Sequence, residues 1–376
     1  MSKNKLYFIF SSVTFLQLYI PIVIESNKRG YESYFILRKN IKSYADPYLH
    51  IKIINEFSEK YNVKIINDTN TLPKGLYFVV DADVYGPPKN DTLSQSLILK
   101  IRKDPDNIII NLNEHMNFID KYDIIQNCCN YCFFENKKLI NFWSMIDENN
   151  YNKRNMKPFN GNKYVKIYDS PKNIYGINTK FDNYLDTDVY DKFNLDKNIK
   201  YCLFLYPKLV SYSDNDILNI YSHIRKLGYR IIVKARPKSS HLLSIDKLKG
   251  DHYIESDIYP NETLMLLSIS ELCIFSSSSA QSECLYNLVP CIDLESDIRQ
   301  KWAGFEFLLD NKFYSQIINS KWKKISFEDF NFIVENMEKK GSKYIQDLRN
   351  EYFKINNSSK FIIDFICNLN QNKLCI

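Results

Sequence analysis

The sequence predicts an α/β protein made of two Rossmann-like domains. Short apolar runs of strand type alternate with amphipathic stretches of helix type in both halves of the chain, as in βαβ units. With 376 residues, the chain is long enough for two domains of ordinary size. No G-x-G-x-x-G follows the first predicted strand, so the pattern does not favour a dinucleotide cofactor.

The first βαβ unit is predicted at the start of the sequence. Residues 6–10 have the composition of a buried strand, residues 15–24 carry apolar side chains at helical spacing, and residues 34–37 form the next strand. The apolar stretch contains Ser11-Ser12 and Pro21, and no small-residue cleavage site follows it. It therefore matches neither a signal peptide nor a membrane span.

A candidate general base follows a strand of the first domain. Residues 63–66, 77–81 and 108–112 are predicted strands, and residues 164–167 are predicted to be the last strand of this domain. His115, with Glu114 beside it, comes just after residues 108–112, where α/β sheets place their ligands. An imidazole at such a position suits proton transfer, although a polar loop residue is the alternative interpretation.

The second domain opens with a predicted strand at 200–206 and a helix at 213–227 that Gly228 ends. The strand at 230–235 then brings Lys234 and Arg236 to its carboxyl end. These cations suit donor phosphates, because charge-assisted hydrogen bonds to phosphate oxygens are strong. A basic strand end that faces solvent is the alternative.

A serine-rich turn lies between a predicted strand at 272–275 and a helix at 281–287. A hydroxyl-rich turn that opens a helix suits a phosphate, because the first helical N–H groups lack intrahelical partners. Ser277, Ser278 and Ser279 supply hydroxyl donors, and Glu283 can accept from ribose hydroxyls. The turn predicts a nucleoside diphosphate site, with a solvated turn as the alternative. A strand at 291–294 and helices from 327 to 374 follow.

Three stretches resemble the GT-B glycosyltransferase superfamily. Ser278-Ser279, Glu283 and Leu288-Val289-Pro290 resemble its donor-binding signature, S-S-x-x-x-E followed by a G-x-P loop. Residues 231–238 are similar to the K-x-H-P strand of CDP-glycerol glycerophosphotransferases, with Arg236 in place of the histidine. Residues 203–208 resemble the strand that opens the second domain in that group. The resemblance covers residues 165–310 and extends to capsule-polymer transferases and UDP-N-acetylglucosamine 2-epimerases.

The resemblance implies a GT-B-like fold, with two Rossmann-like domains that face each other across a cleft. It divides the chain into an acceptor domain at 1–185, a nucleotide-donor domain at 186–350, and a C-terminal helix at 351–376 that packs back on the first domain.

The resemblance also implies a glycosyltransferase, or a related polyol-phosphate transferase, with a nucleotide-activated donor and a glycan or polymer acceptor. Lys234, Arg236 and the serines would stabilise the leaving diphosphate without a metal or cofactor, and His115 would deprotonate the acceptor. An enzyme like the UDP-GlcNAc 2-epimerases is the first alternative. Their G-T-R-P-E turn and H-R-x-E-N segment are replaced here by residues 11–14 and by Tyr206-Pro207-Lys208. A non-catalytic GT-B-like protein that binds a glycan or another partner is the second.

Charge and cysteine content narrow the functional classes further. The net charge is +6 and the basic residues are scattered, which argues against nucleic-acid binding. The nine cysteines lie in apolar settings, as expected for reduced thiols in the cytoplasm. Cys128-Cys129-x-x-Cys132 lacks a second Cys or His pair, so no metal site is predicted. No transmembrane segment is predicted, so any membrane association is expected to be peripheral.

Overall fold

The chain is divided into two compact units, Met1–Tyr184 with Phe353–Ile376, and Leu185–Tyr352. The computed structural model describes residues 5–10, 13–37, 47–67, 72–80, 97–98, 100–112, 129–134, 172–175, 177–182, 188–206, 213–235, 248–254, 262–276, 278, 280–294, 312–317, 321–353 and 356–372.

Unit 1 is built on a seven-stranded sheet in which every strand pair is parallel. Its strands are β1 (Lys5–Phe10), β2 (Glu32–Leu37), β3 (Lys64–Ile66), β4 (Leu76–Val80), β5 (Ile108–Leu112), β6 (Tyr131–Phe134) and β7 (Lys172–Tyr175). The spatial order is β3-β2-β1-β4-β5-β6-β7, so the direction of winding reverses between β1 and β4. The first six strands have the order of the doubly wound Rossmann fold.

Unit 2 repeats this arrangement with six parallel strands. They are β8 (Tyr201–Leu205), β9 (Arg230–Lys234), β10 (His252–Ile254), β11 (Ser270–Phe275), β12 (Cys291–Asp293) and β13 (Tyr314–Gln316). The order β10-β9-β8-β11-β12-β13 reverses between β8 and β11. The predicted pair of Rossmann-like folds is therefore confirmed.

Nine α-helices have defined bounds in the described parts of the chain, and residues 97–98 and 100–102 are helical as well. The nine helices are α1 (Leu16–Lys28), α2 (Pro47–Lys60), α3 (Val189–Phe193), α4 (Asp214–Lys226), α5 (Glu262–Ile269), α6 (Ala280–Tyr286), α7 (Phe327–Glu335), α8 (Lys343–Tyr352) and α9 (Ser358–Asn372). The sequence sets the ends of α4 clearly. Ser213 and Asp216 form a capping box, and Gly228 takes a φ of +85° just beyond the helix.

The core of unit 1 is aromatic where the winding reverses. Tyr19 on α1 is fully buried, and its ring contacts Phe8 and Phe10 of β1 at centroid distances of 5.1 and 5.0 Å. Its hydroxyl donates to the carbonyl oxygens of Ile9 (2.8 Å) and Phe78 (3.3 Å). One side chain therefore links α1 to both β1 and β4, and it satisfies its own polar group in doing so.

Helix α9 belongs to unit 1, in agreement with the prediction that the C-terminal helix packs back on the first domain. The Asp182 carboxylate accepts from the backbone N–H groups of Ser358 (3.0 Å) and Ser359 (2.5 Å), so it caps a helix that begins far along the chain. Burial raises the pKa of Asp182, while the hydrogen bonds from these serines act in the opposite direction. Arg29, just after α1, donates to Asp364 of α9 at 2.5 Å.

Several short strands were missed or placed elsewhere by the sequence analysis. Strands β6 and β7 were not predicted. The predicted strand at 164–167 lies outside the described residues. Strands β10 and β13 have only three residues and lie at the two edges of their sheet, so they show too little alternation to be recognised. None of the described helices is both long and apolar enough to cross a bilayer.

The cap of α9 yields the first prediction. Replacing Asp182 with Ala removes two acceptors from a largely buried helix start and is expected to lower the free energy of unfolding by about 1–2 kcal/mol. Urea denaturation followed by circular dichroism measures the change. Asp188→Ala is the matched control, because Asp188 caps α3 locally from an exposed position. Equal losses in the two variants would contradict the special role of Asp182.

Candidate functional site

The carboxyl edge of the sheet in unit 2 is the candidate functional site. In doubly wound sheets, ligands bind outside the carboxyl ends of the strands where the winding reverses. Here that point lies between β8 and β11, with β9 and β12 on either side. Of the sequence-predicted donor residues, those that the structure describes are Lys234 at the end of β9, Ser278 just after β11, and Glu283 in the helix that follows.

Lys234 is the last residue of β9 and is only 8% exposed. The backbone around it is fixed, because its carbonyl accepts from Tyr206 N (3.1 Å) and Ala235 N donates to Ile254 O (3.1 Å). A buried ammonium requires an anionic or hydrogen-bonding partner. Lys234 is thus a cation held at the predicted edge. Its predicted companion Arg236 lies outside the described residues.

The serine turn joins β11 to α6 at the same edge. Ser276 follows β11 directly and is buried, and Ser278 is partly exposed. The Ser278 hydroxyl oxygen accepts from Ala280 N at 3.3 Å, so Ser278 caps the start of α6. The other two predicted serines, Ser277 and Ser279, lie outside the described residues.

Glu283 lies in the first turns of α6 and is only 6% exposed. Glu283 is predicted to accept from ribose hydroxyls, and in the structure its side chain is buried. Buried carboxylates are held by partners in proteins, so Glu283 is a fixed group rather than a solvated one.

The loop after α6 departs from the superfamily pattern in its sequence. Leu288 stands where the G-x-P loop has glycine, and it takes a φ of +59°. The Leu288 N–H donates to Leu285 O (3.1 Å), and the Leu288 carbonyl accepts from Gly341 N (3.0 Å). The next residue, Val289, donates its N–H to Cys284 O (2.9 Å). A left-handed residue at the end of a helix normally favours glycine, so a leucine here is strained.

Asp293 at this edge, and Tyr314 at the start of β13, are polar residues that were not singled out from the sequence. Asp293 ends β12, is 5% exposed, and accepts from the Tyr314 hydroxyl at 3.1 Å. The available signal was an acidic residue within an otherwise apolar strand, Cys291–Asp293. Tyr314 gave no signal, because its strand has three residues.

A layer of buried thiols lies on the face of the sheet that α6 covers. Cys273, Cys284 and Cys291 are fully buried, and burial raises the pKa of each thiol. The Cys284 thiol also acts on the pKa values of Cys273 and Cys291, so the three thiols lie close together. Among the described residues, no group of three or more His, Cys, Asp or Glu side chains is arranged to hold a metal ion.

The predicted catalytic residues belong to the other unit. His115 and Glu114 follow β5 in the sequence, and both lie outside the described residues. Their roles therefore stay predictions.

Solved structures with the same fold extend over nearly the whole chain. No family model matches the sequence, and no curated protein matches it either. A Staphylococcus aureus MnaA–UDP co-structure has a TM-score of 0.57 at 11% identity, with 96% of each chain covered. The Neisseria meningitidis UDP-GlcNAc 2-epimerase bound to UDP-GlcNAc has a TM-score of 0.57 at 14% identity, with 97% of this chain and 100% of that chain covered. The wall teichoic acid polymerase TagF has a TM-score of 0.55 at 11% identity, covering 99% and 90%.

These structures, together with glycosyltransferases such as SnogD from Streptomyces nogalater, are the groups that the sequence resemblance indicated. The chain has the GT-B type of α/β fold. At these identities the likeness establishes the fold, and the reaction is a separate question.

The strained leucine supplies the second prediction. Leu288→Gly removes the left-handed strain and Leu288→Ala keeps it, while both variants lose the side-chain atoms beyond Cβ. The glycine variant is therefore expected to be more stable than the alanine variant by about 1 kcal/mol. Thermal unfolding of the two proteins under identical conditions measures the difference. An alanine variant as stable as the glycine variant would show that residue 288 carries no strain.

Proposed function

We propose that the protein is a nucleotide-sugar-dependent glycosyltransferase, or a related polyol-phosphate transferase. The observation that carries the proposal is a set of buried polar groups at the point where the strand order reverses in unit 2. Lys234 and Glu283 are buried there. Ser278 precedes Glu283 in the sequence and caps the helix that contains it. A cation, hydroxyl groups and a carboxylate are the groups that a nucleoside diphosphate requires for its phosphates and ribose.

In the proposed reaction, an acceptor hydroxyl attacks the transferred group and the nucleotide leaves. A nucleotide sugar releases a nucleoside diphosphate, and a polyol-phosphate donor such as CDP-glycerol releases a nucleoside monophosphate. Negative charge develops on the leaving phosphate, and fixed cations and hydroxyl donors lower the barrier by stabilising that charge. Lys234 and Ser278 are proposed for this role, together with Arg236, Ser277 and Ser279. His115 is proposed as the base that removes the acceptor proton, with Glu114 beside it.

No metal or cofactor has a step in this proposal. The donor is a nucleotide-activated sugar or polyol phosphate, and the acceptor is a glycan or polymer. Any association with a membrane would be peripheral. Two of the solved structures support the donor class, since one is a complex with UDP and the other a complex with UDP-GlcNAc.

An enzyme like the UDP-GlcNAc 2-epimerases is the second candidate. One of the solved structures with this fold carries that name. The sequence argues against it, because the G-T-R-P-E and H-R-x-E-N segments of those enzymes are replaced here. A glycan- or partner-binding protein without catalysis is the third candidate, and the substitution of Arg236 for histidine favours it. Arginine binds phosphate but does not transfer protons near neutral pH.

Donor turnover distinguishes these candidates and forms the third prediction. The protein is incubated with UDP-, GDP-, CDP- and CMP-sugars and with CDP-glycerol, with and without glycan acceptors. Nucleotide release that depends on an acceptor is expected for one donor class. A new sugar formed without acceptor would identify an epimerase, and binding without turnover would identify a binding protein.

His115→Ala should reduce turnover by about 100-fold or more while leaving donor binding unchanged. His252→Ala, at the start of β10, is the control.

The fourth prediction tests the phosphate role of Lys234. Lys234→Met should weaken nucleoside diphosphate binding by about 10- to 100-fold, the effect of losing a charge-assisted hydrogen bond. The corresponding nucleoside, which lacks phosphates, should bind both proteins equally. Arg230→Met is the matched control, because Arg230 begins the same strand, is exposed, and lies at the opposite edge of the sheet. Calorimetry at two salt concentrations makes the comparison, and equal losses in both variants would refute the assignment.

A further inference from the structure

Asp293 is a buried carboxylate that the proposed reaction does not use. Its backbone is fixed on both sides, since Leu294 N donates to Phe275 O (2.8 Å) and Ile317 N donates to Asp293 O (3.0 Å). Its side chain is held by the Tyr314 hydroxyl at 3.1 Å. Burying a carboxylate is costly, so a role for this one has to be found on the face where it lies.

The strand register places Asp293 beneath the start of α6. Cys291 and Asp293 are two residues apart in β12, so both side chains lie on the same face of the sheet. The Cys291 thiol on that face lies near Cys284 of α6, since each thiol acts on the pKa of the other. Helix α6 joins two parallel neighbouring strands, so it runs antiparallel to them.

The spacing of residues along β12 and along α6 relates Asp293 to the first turn of α6. Two residues of strand advance about 6.6 Å from Cys291 to Asp293. One helical turn back from Cys284 covers about 5.4 Å and reaches Ala280 and Gln281. This spacing directs the Asp293 carboxylate toward the first turn of α6.

The first turn of α6 needs acceptors from within the protein. Its residues are Ala280, Gln281, Ser282 and Glu283, which are 3%, 1%, 7% and 6% exposed. The first N–H groups of a helix have no intrahelical acceptors, and those of this turn belong to buried residues. Ser278 serves Ala280 N. A carboxylate beside this turn stabilises it further, both as an acceptor and through the helix dipole.

We propose that Asp293 is a positioning residue that, held by Tyr314, fixes the first turn of α6 to β12. It thereby sets where Ser278 and Glu283 lie at the carboxyl edge. The positional effect is a property of the protein alone. Its consequence for donor binding rests on the proposed function.

Amide hydrogen exchange of the intact protein tests the positional effect without any ligand. In Asp293→Ala, amides of the first turn of α6 should exchange about tenfold faster, which corresponds to a lost helix cap. Tyr314→Phe should produce a smaller increase at the same amides. Cys291→Ala is the matched control. Cys291 lies on the same strand and the same face as Asp293, but it is near Cys284, one turn beyond the start of α6. This variant should leave the first turn unchanged. Unchanged exchange in Asp293→Ala, or equal effects from Cys291→Ala, would overturn the proposal.

A more conservative variant and a binding measurement complete the test. If Asp293→Ala does not fold, Asp293→Asn keeps an oxygen acceptor and should give an intermediate exchange rate. A rate equal to that of the unaltered protein would overturn the role of the carboxylate. Titration with UDP, GDP and CDP then addresses the donor site. Faster exchange together with weaker diphosphate binding supports both steps. Faster exchange in a protein whose unaltered form binds none of these nucleotides supports the positioning and rejects the proposed donor site.

Discussion

The reversal of strand order within each parallel sheet is the constraint on which the rest of the structure depends. Parallel strands bring their carboxyl ends to one edge, and the reversal leaves a crevice at that edge between two loops that diverge. In unit 2 this rule alone places the ends of β8 and β11 side by side, with Lys234 and Asp293 on the strands next to them. Backbone pairing therefore assembles polar side chains from residues separated by more than 50 positions, before any side-chain contact is considered.

Local signals were sufficient to predict the central strands and the helices between them. Strands β1, β5, β8 and β9 are strongly apolar, and Ser213 with Gly228 marks both ends of α4. Hydrophobic periodicity and helix capping depend on residues that are close together in the sequence, so they can be recognised without the structure. The edge strands β10 and β13 form because a neighbouring strand supplies their hydrogen bonds. That information is absent from three residues taken alone.

The residues of the candidate site also fall into those that could be predicted from the sequence and those that could not. Ser278, Glu283 and Lys234 belong to contiguous motifs and could be found from the sequence. Asp293 and Tyr314 lie on separate strands, and their relation exists only through the register of β12 with β13. The strain at Leu288 is also invisible in the sequence, because a leucine does not signal a left-handed backbone. A superfamily pattern with glycine at that position was the only indication of it.

The capping of α9 by Asp182 has a consequence for the order in which the chain folds during synthesis. Unit 1 takes its last helix from residues that follow the whole of unit 2 along the chain. The ribosome releases Asp182 long before it releases Ser358, so the nascent first unit lacks this helix while the second is being made. Unit 2 is contiguous and can close as soon as residue 352 emerges. The domain that is translated first is therefore the last to be completed, and until then the α1 surface that receives α9 is available to chaperones.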